Sequence, residues 1–206
     1  MANTAQEATG PADTVQEVTG QLVTFGLRGP APAATLLERL QVQPGASVLY
    51  LGCPDLVALA SMADQVGPSG TVTVVDDDDM ATGAARQLVI DRHLSNVEVL
   101  RRPNWHGLFE AQSFDVVHVH GHLAAIARRR RRRLMRRAIR LAKPGGWIVS
   151  REERSALDRS PWTVIRLFNA CGLDVVSTEP AHDGALDAPA GGGSLEYLVW
   201  GRRLVL

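Results

Sequence analysis

VLYLGCPDLVALA, from Val48 to Ala60, and TVTVVDDDDM, from Thr71 to Met80, decide the fold of this 206-residue chain. An apolar strand, a tight turn at Gly52, a helix and a second strand ending in acid make the opening half of a nucleotide-type βαβ unit. The first strand, Ser47 to Leu51, is apolar without alternation, as a strand buried on both faces must be.

Working outward, Asp55 to Val66 reads as a helix with Leu56, Leu59, Ala60 and Ala63 on one side. Thr71 to Val75 forms the second strand, and Asp79 to about His93 a second helix carrying Ala81, Ala84, Ala85, Leu88 and Val89 at helical spacing. Strands follow at Val97–Leu100 and Phe114–Val119. A long helix then leads to LAKPGG, a turn that delivers a fifth strand, Trp147 to Ser150. Ser160 and Pro161 start a further helix that Gly172 ends. The last strands, Leu173–Ser177 and Leu195–Trp200, flank a Gly/Ala/Pro-rich loop. This alternation specifies an α/β domain with a mostly parallel sheet and helices on both faces. Upstream, ATLLERL gives one apolar helical face before QPGA, while residues 1 to about 30 are poor in large apolar groups and read as a flexible tail, with one short helix at most. The expected division is therefore a tail, 1–30, and a folded domain, 31–206.

Composition narrows the function classes. Hydrophobic residues make up 45% of the chain, enough for a core, and no apolar run is long enough to span a bilayer. The N-terminus lacks the basic start and apolar centre of a secretion signal, so a cytoplasmic protein is expected. Cys53 and Cys171 build neither a disulfide framework nor a CxxC zinc site. With 22 basic and 22 acidic residues the net charge is zero, which argues against whole-surface affinity for nucleic acid.

The order of these motifs resembles that of class I S-adenosylmethionine-dependent methyltransferases, from about Ala33 to the C-terminus. Three pieces carry the resemblance: VLYLGC, VVDDDDM, and SFDVVHVHGHL with RAIRLAKPGGWIVSRE. It implies a Rossmann-like, seven-stranded sheet with one antiparallel strand, and S-adenosylmethionine lying across the carboxyl ends of the strands. By the same resemblance Asp76, closing the second strand, accepts hydrogen bonds from the ribose hydroxyls. Tyr50, Gly52, Cys53 and Asp55 lie along the turn at the cofactor's amino-acid end, and Asp77 follows the ribose-binding acid. Asn104 or Trp105 meets the adenine by hydrogen bonding or stacking, and His120 lines the pocket.

The chain departs from the family pattern in that turn. Members read acid-x-Gly-x-Gly-x-Gly where this chain reads Tyr50-Leu51-Gly52-Cys53-Pro54-Asp55-Leu56. Pro54 removes a backbone donor, Asp55 places negative charge where the ligand's carboxylate belongs, and Leu56 adds bulk. Asp77 stands where an apolar residue packs on adenine, and Arg102 or Pro103 falls where an acid contacts the adenine amino group.

Each candidate also has a structural reading. Asp55 caps the helix that follows it. In the run Asp76 to Asp79 one residue faces the ligand and Asp79 caps the next helix; no matching ligand set makes the run a metal site. His118, His120 and His122 alternate at the end of the fourth strand, with His118 packed inside and His120 or His122 available as a general base. Trp105 either reaches the ligand or covers the core. Arg128 to Arg133, with Arg136, Arg137 and Arg140, form the outer side of a covering helix whose apolar stripe is Leu134, Met135, Ala138, Leu141 and Ala142. Projected back one turn, the stripe meets Arg130 and Arg131, so either the helix starts near there or those stems snorkel. No aromatic residue interleaves with the run, so an acidic partner or charge pairing with a second copy is expected rather than nucleic acid.

The resemblance implies methyl transfer to an oxygen or nitrogen of a small metabolite, with His120 or His122 taking the proton. The altered turn admits two others: a natural-product cyclase or rearrangement enzyme with a reused pocket, and a non-catalytic protein that binds a partner through its Arg-rich helix.

Overall fold

The apolar runs become strands β1 (Ser47–Leu51), β2 (Thr71–Asp76), β3 (Val97–Arg101), β4 (Phe114–His120), β5 (Ala142–Glu153), β6 (Leu173–Ala181) and β7 (Glu196–Arg203). A computed structural model describes residues 40–102, 105, 107–120, 123, 126–153, 162–181 and 196–204. The expected tail, most of the ATLLERL segment, Ser160, Pro161 and most of the last loop lie outside the described residues.

The strands form one seven-stranded sheet in the order β3-β2-β1-β4-β5-β7-β6. Strands β1 to β5 pair in parallel, and β7 runs antiparallel to both β5 and β6. The order reverses between β1 and β4, and a doubly wound sheet opens a crevice at the carboxyl ends of the strands on either side of such a reversal.

Among the described residues, helices α1 (Leu56–Val66), α2 (Asp79–Asp91), α3 (Arg128–Leu141) and α4 (Trp162–Ala170) cover the sheet. Alternation along the strands decides which helix meets which side chains. Val48, Tyr50, Val72, Val74, Val116 and Val149 pack with α1 and α2. Leu49, Leu51, Val75, Val117, Val119 and Ile148 pack with Met135, Ala138 and Leu141 of α3 and Val164 and Phe168 of α4.

Two local details differ from expectation, and a third decides between alternatives left open. Strand β5 begins at Ala142 rather than Trp147, and its register with β4 shifts between Phe114 and Val116. At the same edge Lys143 Nζ grips both carboxylate oxygens of Asp115, at 3.0 and 2.8 Å, and the Ser47 N–H donates to Oδ2 at 2.8 Å. Helix α2 is capped by Asp78, whose Oδ1 accepts from Met80 N and Ala81 N; Asp79 instead forms an ion pair with Arg101 at 3.1 Å. Finally, α3 starts at Arg128, and the Arg131 side chain turns inward, 7% exposed, to donate to the Ile126 carbonyl at 2.9 Å.

Candidate functional site

After Leu51 the chain must reverse into α1 beside the ends of β2 and β4. Gly52 permits this with φ of +96°, and its N–H donates to the Val75 carbonyl at 2.8 Å. A side chain here would collide with the carbonyl oxygen of His120 on β4. The turn is therefore glycine because two backbones meet there.

The next contact organises the site. Cys53 N–H donates to Asp76 Oδ2 at 2.6 Å, and Asp78 N–H donates to Asp76 Oδ1 at 3.0 Å. One carboxylate thus ties the turn after β1 to the turn after β2. An ionised carboxylate offers about four acceptor positions, so two remain for a ligand's hydroxyl pair. The Cys53 thiol donates weakly to the Ala81 carbonyl at 3.5 Å. Its pKa is pushed up to about 11 by partial burial, then by Asp76 and Asp78, which leaves it a protonated, unreactive thiol.

Asp55 makes two contacts. Oδ1 caps α1 by accepting from Ala58 N at 2.7 Å, and Oδ2 receives Arg151 Nη1 at 2.6 Å. Arg151 lies near the carboxyl end of β5, opposite His120 in register, and its side chain is only 13% exposed. Sequence reasoning missed this arginine. Its partner is 96 positions away, and only the strand order brings the two together. The negative charge of Asp55 is balanced locally, and an acid–base pair stands at the amino-acid end of the glycine turn.

Beneath this pair lies a buried polar stack. The Tyr50 and His118 rings are 5.0 Å apart and nearly perpendicular, and His118 is 5.8 Å from His120. Burial drives the tyrosine pKa upward, with Asp55 adding and Arg151 opposing. Burial also drives the His118 pKa well below its usual value, reinforced by His120 and Arg151. Neither ring nitrogen of His118 has a hydrogen-bond partner among the described residues. His118 is a neutral core imidazole, and Tyr50 is buried against it under the turn.

Asp77 is exposed beside Asp76. Trp105 is partly buried against the α3 face of the core, lining a depression with Gly107, Phe109, Arg137, Arg140 and Leu141. His120 is half-buried at the end of β4. Asn104, His106, Gly121 and His122 lie outside the described residues. The structure therefore brings Gly52, Cys53, Asp55, Asp76 and His120 to one edge of the sheet and adds Arg151.

These residues fit S-adenosylmethionine at its ribose end, where Asp76 is rigid and has acceptor positions left. At the amino-acid end Pro54 supplies no N–H, and any ligand group there must address the Asp55–Arg151 pair.

The sequence from Val48 to Gly146 matches the family model of a methyltransferase domain. The chain is 34% identical over 85 residues to nocamycin O-methyltransferase of Saccharothrix syringae, covering 41% of this chain and 30% of that protein. It is 29% identical over 113 residues to demethylmenaquinone methyltransferase of Listeria monocytogenes, covering 55% of this chain and 47% of that one. The chain thus spans less than half the length of both curated relatives. Among solved structures, an S-adenosylmethionine-dependent methyltransferase from Aquifex aeolicus superposes with a TM-score of 0.64 at 18% identity, covering 82% of this chain and 87% of that one. The [4+2]-cyclase SpnF superposes at 0.63 and 17% identity, covering 82% and 79%. The seven-stranded sheet with its antiparallel β7 is the Rossmann-like methyltransferase fold. The segment from Val48 to Gly146 is thus similar to a methyltransferase domain, and the chain has the fold of the class I S-adenosylmethionine-dependent methyltransferases.

Proposed function

We propose that the protein transfers a methyl group from S-adenosylmethionine to an oxygen or nitrogen of a small metabolite, in the cytoplasm, with residues 31–206 as its single catalytic domain. The observation that carries this reading is Asp76: a carboxylate at the end of β2, held by two backbone N–H groups and retaining acceptor positions for a ribose diol. When bound, the cofactor supplies an electrophilic methyl group. The protein's share is alignment of the acceptor and removal of its proton. His120, at the carboxyl end of β4, or His122 takes that proton. The acceptor pocket is shaped by the loops above the sheet or by a second subunit.

A second reading is favoured by the Asp55–Arg151 ion pair, which occupies the turn where the family presents bare glycine backbone. In it the pocket has been reused for cyclisation or rearrangement of a natural-product intermediate, and a [4+2]-cyclase shares the fold.

Calorimetric titration with S-adenosylmethionine and S-adenosylhomocysteine separates the two. The methyltransferase reading expects micromolar binding, weakened at least tenfold in Asp76→Ala with circular dichroism confirming that the variant is folded. No heat of binding at millimolar ligand sinks it and leaves the reused pocket.

A further inference from the structure

The ion pair between Asp55 and Arg151 joins two elements that are not neighbours in the sheet. Arg151 lies on β5 beside His120 of β4, and Asp55 follows β1, so β4 stands between them. With strands about 4.8 Å apart, the arginine side chain must cross the carboxyl end of β4 to make its contact with Asp55 at 2.6 Å. That places the guanidinium at the mouth of the crevice, where the strand order reverses.

Two features distinguish the pair from a simple brace. Its ends are unlike, because the Arg151 side chain is 13% exposed and that of Asp55 45%. The arginine is held by its surroundings, while an ion pair so open to water on its acidic side is easily parted. Asp55 also gives the guanidinium a single oxygen, since its Oδ1 is occupied in capping α1 through Ala58 N. A guanidinium is shaped to grip both oxygens of a carboxylate, and Asp55 does not offer both. Tyr50 and His118 beneath it are kept neutral by burial and lend it no counter-charge.

The turn determines what can meet this pair. Cys53, whose N–H is tied to Asp76, lies only two positions before Asp55. The acceptor positions of Asp76 and the two opposite charges therefore stand at the two ends of one short turn. A ligand that places a diol on Asp76 meets the pair with its other end. To satisfy both charges there it needs an anion and a cation close together, as on the α-carbon of an amino acid.

We propose that Arg151 and Asp55 read a zwitterionic α-amino-acid head on the ligand. The guanidinium takes the carboxylate with both arms, and Asp55 Oδ2 takes the ammonium while Oδ1 continues to cap α1. The inference rests on the methyltransferase reading. It gives two side chains the part that glycine backbone plays in the usual turn, so the missing N–H of Pro54 is no handicap.

The test is calorimetric titration of the full chain with S-adenosylhomocysteine and with methylthioadenosine, which keeps the ribose diol and the thioether but has no amino-acid head. The wild-type chain should bind S-adenosylhomocysteine at least tenfold more tightly. Arg151→Gln should abolish most of that preference and leave the affinity for methylthioadenosine unchanged. Asp55→Asn, which keeps a capping oxygen, should reduce the preference severalfold. Equal affinity for the two ligands in the wild-type chain, or an undiminished preference in Arg151→Gln, overturns the proposal and leaves the pair a brace between β5 and α1. Methylthioadenosine bound without S-adenosylhomocysteine also overturns it, because the pair then shuts out the amino-acid head. Binding of neither ligand is a different result and sinks the methyltransferase reading, this inference with it. Should circular dichroism show Arg151→Gln to be unfolded, the wild-type preference and Asp55→Asn decide.

Discussion

Gly52 has φ of +96° and lies against the His120 carbonyl, so Gly52→Ala adds both backbone strain and a collision. It is expected to cost about 2–3 kcal/mol, read from urea denaturation. His118 gives a pH-dependent prediction. Its folded-state pKa lies well below the ordinary value of 6.5. Between those two values the unfolded chain binds a proton that the folded chain does not, so stability rises with pH there and is lost on acidification. The slope from this residue is about 1.4 kcal/mol per pH unit. His118→Leu is expected to remove that slope, seen as a smaller difference from wild type in denaturation series at pH 5.5 than at pH 7.5. At this scale the sequence exposed the turn residues, because a glycine between an apolar strand and a helix, and an acid ending the next strand, are local signals. Arg151 was not legible. Its meeting with Asp55 depends on which strands are neighbours, and nothing near residue 151 carries that information.

The helices show how far local chemistry reaches. Helix α1 begins behind its Asp55 cap, as an acid before an apolar stripe requires. Helix α2 takes Asp78 as its cap although Asp79 was the expectation, because four consecutive aspartates give equal local signals and only the backbone angle at the end of β2 selects among them. Strand β5 started earlier than LAKPGG led one to expect, since pairing with β4 and the Lys143–Asp115 contact hold that turn in the sheet. Helix α3 has an evident weakness at its start, an alanine cap followed by positive charge. Ala127→Asp should supply both the missing acceptor and a favourable charge, raising stability by about 1 kcal/mol in thermal unfolding followed by circular dichroism. At the opposite end Arg203 of β7 donates to the carbonyls of Ile139 and Ala142, so the last turn of α3 is already satisfied.

For the molecule as a whole, a ligand that binds only the folded state stabilises it by mass action. S-adenosylhomocysteine at one hundred times its dissociation constant should add about 2.7 kcal/mol, measured as a shift in the urea midpoint at unchanged slope. The mostly parallel sheet was foreseeable from the alternation of strands and helices and from the closing strand pair, whereas the order of its strands was not. What the alternation did not contain was how the site is fastened together. Asp76 is bonded to the turns on both sides of it before any ligand arrives. A residue so placed is a rivet of the scaffold, whatever the crevice takes up. It follows that a change at position 76 is felt in both flanking turns at once, so this one side chain sets how far the ends of β1 and β2 can move apart.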